Sequence, residues 1–313
     1  MQASPLFSII TPSFNQGAFI ARTIESVIQQ EGNFEVELIV VDGASTDDTV
    51  EILRRYETLL APGGERHRSN FSFRWFSEPD DGQSNALNKG FRMARGDIVG
   101  WLNSDDHYCE GALQSVGEYF ELHEHCDIVY GNSIAIDVNN QELWRQHPKP
   151  PSVYRLIYVD SLPQPSVFFR RRLLDRLGLV DEALHYTMDA DLWVRFVIGG
   201  ARFCGIDRYL AVQLYHIDSK SLQGEAMFEA FLPEIRHLKS KYRPFMGRWF
   251  YFHELARVTR RLAGSAWMLL PARIRKLIKY GVKPADNRSE MGTPEHLADG
   301  LSGHRTYSDG ESR

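Results

Sequence analysis

Four short β-rich runs alternate with helical stretches over the first hundred residues, and each run ends in a polar cluster. "LFSIITPSF" reads as a strand stopped at Pro12, and "GAFIARTIESVIQQ" follows with Phe19, Ile20, Ile24, Val27 and Ile28 near helical spacing. Next come the strand "VELIVVDG" and the helix "STDDTVEILRRYETLL", with Ser45, Thr46 or Asp47 available as N-cap. The strand "FSFRWFSEPD", the helix "GQSNALNKGFRMARG" ending at Gly96 and the strand "DIVGWLNSDD" complete the series. Such alternation specifies an α/β fold in which βαβ units build a mixed, mainly parallel sheet flanked by helices. Ligands bind such sheets beyond the carboxyl ends of the strands, where strand order reverses. Those ends are residues 11–15, 42–45, 78–81 and 103–106, so polar groups are expected on one rim.

Asp105 and Asp106 end a run, Ile98 to Leu102, with the composition of a buried strand. Adjacent carboxylates repel and raise each other's pKa, and a cation is the usual reconciliation. An all-oxygen ligand set favours a hard ion such as Mg2+ or Mn2+, which binds substrate phosphates. Acidic pairs also cap helices, and Asp47-Asp48 suits that use.

The 313 residues, 43% hydrophobic and 25% charged, suit a soluble globular protein with one large core. No run approaches the roughly 18 apolar residues that span a bilayer. The N-terminus has neither the basic nor the apolar region of a secretory signal, so a cytoplasmic protein is expected. Cys109, Cys126 and Cys204 are widely spaced and read as free thiols in a reducing compartment.

Charge is unevenly placed. Residues 1–238 carry 34 acidic and 21 basic side chains, whereas 239–283 carry 12 basic and one acidic. After Pro271, an apolar stripe of Ile274, Leu277 and Ile278 is flanked by Arg273, Arg275, Lys276 and Lys279, with Trp249 and Trp267 nearby. This basic helical extension reads as a contact with an anionic membrane surface, which would make the protein peripheral on the inner face of the membrane. Packing on residues 1–238 of its own chain or a homodimer contact are the competing uses. Nucleic acid is not expected as a partner, because no nucleic-acid motif appears. Residues 284–313 are polar and Gly/Ser-rich and read as a disordered tail. The expected division is therefore 1–238, in two halves that meet at about residue 110, then 239–283 and 284–313.

"FSIITPSFNQGAFIARTIESVIQQ", "ELIVVDGASTDDTVEIL", "SEPDDGQSNALNKGFRMARGDIVGWLNSDDHY" and "MDADLWVRF" together resemble the inverting family 2 glycosyltransferases of GT-A fold. The likeness is strongest to the bacterial branch that builds cell-surface polysaccharides, and it covers roughly residues 6–222. It implies a nucleotide-sugar donor, a Mg2+ or Mn2+ ion, inversion at the anomeric carbon and a saccharide or lipid-linked acceptor. By the same resemblance Thr11, Pro12 and Ser13 lie beside the nucleotide, and Asp42 accepts hydrogen bonds from the base. Asp81 and Lys89 lie near the ribose and phosphates. Asp106 is the direct metal ligand, Asp105 is partly a ribose contact, and His216 is a third candidate for the metal or diphosphate. Many members have Asp where this chain has Asn103, so the site carries one negative charge fewer.

Inverting transfer needs a base near the acceptor hydroxyl, on the face opposite the leaving nucleotide. Asp189 aligns with the family's base, and Asp191, two residues on, is the rival; the usual neighbouring Glu is Met188 here. Gln164, His185 and Tyr186 are candidates for the acceptor side. A sugar-phosphate nucleotidylyltransferase would need an N-terminal Gly-rich loop with Arg and Lys, and "SIITPSFNQG" is not one. The other alternative, kept open by Asn103 and Met188, is a catalytically weak nucleotide-sugar-binding scaffold.

Overall fold

The computed structural model describes residues 6–159, 161–216, 219 and 224–246. The basic extension beyond residue 246 and the expected tail lie outside the described residues. The strands are β1 (Leu6–Ser13), β2 (Glu35–Asp42), β3 (Phe71–Ser77), β4 (Ile98–Trp101), β5 (His107–Tyr108), β6 (Ile128–Asp137), β7 (Glu142–Gln146), β8 (Val167–Arg170) and β9 (Phe203–Tyr215). The helices are α1 (Ile20–Ile28), α2 (Thr49–Leu60), α3 (Gln83–Met93), α4 (Ala112–Leu122), α5 (Val153–Tyr158), α6 (Arg172–Leu177), α7 (Met188–Ile198) and α8 (Gly224–Tyr242).

The strands form one sheet in the order β3-β2-β1-β4-β8-β6-β9-β5, with β7 pairing β6 at the side. The first four in that order are parallel, β8 is antiparallel to both β4 and β6, and β9 runs parallel to β6. Strand order therefore reverses between β1 and β4, where an α/β sheet opens its crevice. Consecutive side chains leave opposite faces of a strand. Accordingly Ile10, Ile39 and Phe169 enter one core layer with Phe91, Trp193 and Phe196, while Ile9, Leu38 and Phe168 enter the other with Ile24, Val27 and Leu53. Burial on both faces explains why these strands read as continuous apolar runs.

Pro12 does not stop β1, as the sequence suggested. The Ile10 carbonyl accepts the Leu102 N–H at 3.0 Å, and pairing with β4 ends there. Two residues on, Pro12 directs its missing N–H to that same side, beyond the last rung, so no ladder bond is lost. Asp48, rather than Ser45, Thr46 or Asp47, holds the N-cap position of α2, although Asp47 Oδ1 accepts the Thr49 N–H at 3.0 Å. The three cysteines are not all free: Cys126 and Cys204 are joined as a disulfide, and Cys109 is the free one. Seventy-eight residues separate the pair, and only the adjacency of β6 and β9 brings them together.

Candidate functional site

The ends of β1 to β4 meet around a cavity of about 560 Å³. Its wall takes Pro12, Ser13 and Phe14 from the end of β1, Gly43 from β2, Asp80 from β3, and Asn103 to Asp106 from β4; β9 adds Gln213 to Tyr215, and His185 closes one side. The loops after β1 and β2 are tied together. Ser45 Oγ accepts the Asn15 N–H at 2.7 Å, Thr49 Oγ1 accepts Gln16 N–H at 2.9 Å and Asp47 Oδ2 accepts Gly17 N–H at 2.8 Å. Gly43 lets Asp80 approach closely, because a Cβ there would lie 2.8 Å from Asp80 Oδ2. Among the described residues the hydroxyl of Ser13, on the cavity wall, and that of Thr11 are buried without a hydrogen-bond partner. Buried polar groups in native proteins are almost always paired, so unsatisfied ones beside a cavity point to a ligand.

Other residues named from the sequence are placed differently. Asp42 is wholly buried and does not line the cavity; Ser45 N–H donates to its Oδ2 at 2.9 Å and Ser77 Oγ at 2.6 Å. Asp81 is exposed and lies off the wall, which Asp80 occupies instead, its Oδ1 accepting the Gly82 N–H at 2.8 Å. The spacing Asp-x-Gly, counted back from Gly82, arrives at Asp80, a signal that was present in the sequence. Lys89 pairs with Glu78 at 2.8 Å, away from the cavity. Gln164 is 8% exposed and accepts from Asn103 Nδ2 at 3.1 Å, so it braces the rim from behind. Tyr186 lies off the wall, whereas His185 reaches it.

The acidic pair is held from both sides. Asp106 Oδ1 accepts the Leu214 N–H at 3.1 Å and its Oδ2 accepts from Asn103 Nδ2 at 3.3 Å. His216 Nε2 lies 3.1 Å from Asp105 Oδ2, and its ring rests on Phe19 with centroids 4.4 Å apart. Burial first, and then the charge of Asp105, hold the Asp106 carboxyl well above the usual carboxylate range. Asn103 is the hub of this rim: its Oδ1 accepts from Gln83 Nε2 and Trp101 Nε1, both at 2.8 Å, while its Nδ2 donates to Asp106 and Gln164. An aspartate could not make the last two bonds, which accounts for the amide at this position.

Among the described residues no three His, Cys, Asp or Glu side chains are gathered to hold a metal ion. Two adjacent carboxylates at a cavity wall nevertheless suit a Mg2+ or Mn2+ ion, which typically takes one or two protein carboxylates and completes its shell with phosphate and water. Asp105 and Asp106 lie side by side on the wall with oxygen ligands only, so the residues present fit the ion.

The two rival bases separate clearly. Asp191 is fully buried and bonds Arg195 Nε at 2.8 Å, Lys241 Nζ at 2.9 Å and Tyr242 OH at 2.6 Å. Burial alone would raise its pKa, but those three partners bring it below the ordinary value. Asp189, partly buried on the first turn of α7, has no cationic partner among the described residues and is pushed up to about 6, chiefly by burial. Sequence reasoning missed Glu234, whose carboxylate binds the loop before α7; no signal at that position marked it.

Comparison with known proteins sets this geometry in a family. The model described as Glycosyl transferase family 2 matches residues 8–179. A PGL/p-HBAD biosynthesis glycosyltransferase of Mycobacterium bovis is 31% identical over 199 residues, covering 62% of this chain and 70% of that protein. An uncharacterized protein of Mycobacterium tuberculosis is 26% identical over 306 residues, 92% of this chain and 89% of its own length. Among solved structures, Staphylococcus aureus TarS in complex with UDP-GlcNAc superposes with a TM-score of 0.54 at 21% identity, over 72% of this chain and 64% of that one. The Pyrobaculum calidifontis mannosyltransferase PcManGT, in complex with GDP-Man and Mn2+, gives 0.59 at 19% identity, over 90% and 80%. At such identities the structural likeness speaks for the fold, which is GT-A. With the family match running from β1 through the acidic pair to the end of α6, the chain belongs to glycosyl transferase family 2 and is a glycosyltransferase.

Proposed function

We propose that this glycosyltransferase is metal-dependent and inverting, and that it moves a sugar from a nucleoside-diphosphate sugar to a hydroxyl of a saccharide or lipid-linked acceptor in surface glycan synthesis. The observation that carries the reading is the convergence of four strand ends on one cavity, with Asp105 and Asp106 on its wall and the Ser13 hydroxyl beside it unpaired among the described residues. In this reading the nucleotide lies across the ends of β1 to β3, where Pro12, Ser13, Gly43 and Asp80 form the wall. Its diphosphate faces the acidic pair, and a Mn2+ or Mg2+ ion held there by Asp105 and Asp106 would neutralise the departing charge. His216 orients Asp105 through its Nε2.

Asp189 takes the proton from the acceptor hydroxyl. The acceptor oxygen then forms its bond to the anomeric carbon from the side opposite the diphosphate. The bond from that carbon to the phosphate oxygen breaks, its electron pair leaves with the nucleotide, and the configuration inverts. The donors seen with fold relatives, UDP-GlcNAc and GDP-Man, support a nucleoside-diphosphate sugar as the donor class. The basic segment 239–283 fits an anionic membrane surface that presents a lipid-linked acceptor. Calorimetric titration with UDP, GDP, dTDP and CMP, with and without Mn2+, tests the donor site. Metal-dependent binding of one nucleotide that is lost in Asp106→Asn is the expected result, and no binding by any of them would overturn the reading.

A further inference from the structure

Two carboxylates open α7, and α8 meets each of them differently. Asp191 is enclosed by Lys241 and Tyr242 from the end of α8, together with Arg195 of its own helix. Asp189 caps its neighbour, its Oδ1 accepting the Ala190 N–H at 2.7 Å. Forty-five positions further along the chain, Glu234 of α8 reaches back to the segment that leads into this turn. Its carboxylate accepts the N–H groups of His185 at 2.8 Å, Tyr186 at 2.9 Å and Thr187 at 2.9 Å, and the Thr187 hydroxyl at 3.0 Å.

We propose that Glu234 is a positioning residue for sugar transfer: its carboxylate gathers three successive amides and so fixes the first turn of α7, on which Asp189 stands. The inference rests on the reading of Asp189 as the base. Three consecutive N–H groups form a concavity for an anion, and bonds from N–H to a carboxylate are roughly twice as strong as neutral ones. The opposite side of the same segment is anchored to α3. Ser84 Oγ donates to the Leu184 carbonyl at 2.7 Å, Asn85 and Asn88 donate to Glu182 at 3.0 and 2.7 Å, and Asn88 Oδ1 accepts the Val180 N–H at 3.1 Å. The segment that carries His185 to the cavity and Asp189 to its helix is therefore gripped between α3 and α8.

The charge of Glu234 also bears on Asp189, adding to the effect of burial. Charged groups on the elements around α7 include Arg155 on α5, Arg172, Asp175 and Arg176 on α6, His185 on the loop, and Lys239 and Lys241 on α8. Glu234 raises Asp189 by its charge, while Arg172 pairs with Asp127, Arg176 bonds the Gly199 carbonyl and Lys241 is held by Asp191.

The test uses Glu234→Gln, which keeps the shape and removes the charge, and Glu234→Asp, which keeps the charge, both in the full chain. Four quantities are compared with the unaltered protein: the melting temperature; the affinity for UDP and GDP; nucleotide release from UDP-GlcNAc and GDP-mannose with acceptor or water; and the 13C titration of the Asp189 carboxyl. The Asp189 resonance is identified as the one missing from Asp189→Asn. In Glu234→Gln the expected result is a preserved fold, nucleotide affinity within about twofold, turnover lower by about tenfold through loss of orientation, and an Asp189 titration moved to lower pH. Glu234→Asp restores part of the turnover. An unmoved titration with unaltered turnover overturns the proposal. So does loss of the melting transition and of nucleotide affinity together with turnover, which would make Glu234 a general brace of the fold. Unimpaired turnover in Asp189→Asn would instead overturn the reading of the base.

Discussion

Asp189 and Asp191 stand two residues apart on one helical turn, and their surroundings drive them in opposite directions. Asp189 is raised to about 6, mainly by burial, so it is a carboxylate above that pH and a neutral acid below it. A base of this kind makes kcat/KM level above about pH 6 and lets it fall about tenfold per pH unit below. A pH–rate profile reads this directly, and an acid limb near 4 would remove Asp189 from the role. Asp191 has a folded-state pKa below its ordinary value because Tyr242, Lys241 and Arg195 outweigh burial. Its contribution to stability is therefore present at neutral pH and disappears as the pH falls through that lowered value. Asp191→Ala leaves Arg195 and Lys241 without their counter-charge and is expected to cost about 3 kcal/mol in urea unfolding. Asn103→Asp removes two donated bonds at the rim and places a carboxylate against Asp106. A loss of about 1–3 kcal/mol is expected on the same measurement.

At the scale of elements, the tightest seam is between α3 and β1. A Cβ added at Gly90 would come 2.3 Å from Ile10 Cγ2 and 3.3 Å from Val41 Cγ2, so the helix approaches the sheet only because this position has no side chain. Gly90→Ala forces the two apart, and an unfolding free energy lower by about 1–3 kcal/mol is expected. The elements of this half were legible because local period encodes them: Ile20, Ile24, Val27 and Ile28 share the buried face of α1, and β2 is buried from Val36 to Asp42. How the strands of the other half pair was not legible. β8 lies antiparallel between β4 and β6, and β9 runs for 13 residues beside β6, pairings that join segments far apart in sequence. Nothing in a short window specifies such partners. The same reason hid the Cys126–Cys204 pair and the reach of Glu234 to backbone amides, which have no side-chain signature.

For the molecule as a whole, the rim of strand ends was readable from polar clusters that terminate apolar runs, and all four clusters contribute to the cavity. Which member of each cluster faces inward was not, because a one-residue step turns a side chain from the wall to the outside, as with Asp80 and Asp81. If the acidic pair holds an ion, chelation with EDTA abolishes turnover and added Mn2+ restores it; turnover unaffected by thorough chelation would exclude the metal from the reaction. Chelation leaves the melting temperature of the nucleotide-free protein nearly unchanged, since the pair is already secured by Leu214, Asn103 and His216.

That securing has a consequence for the order of events at the ribosome. The rim residues at the ends of β1 to β4 have all been synthesised by position 106, yet Asp106 is fastened by Leu214, and the turn bearing Asp189 is fastened by Glu234. β9 must first slot between β6 and β5 before the acidic pair has its backbone partner. At synthesis rates of about 5–20 residues per second, the nascent chain carries its complete acidic motif for several seconds before Leu214 can fasten it. Throughout that interval the nascent chain has the acidic pair of a transferase without its site.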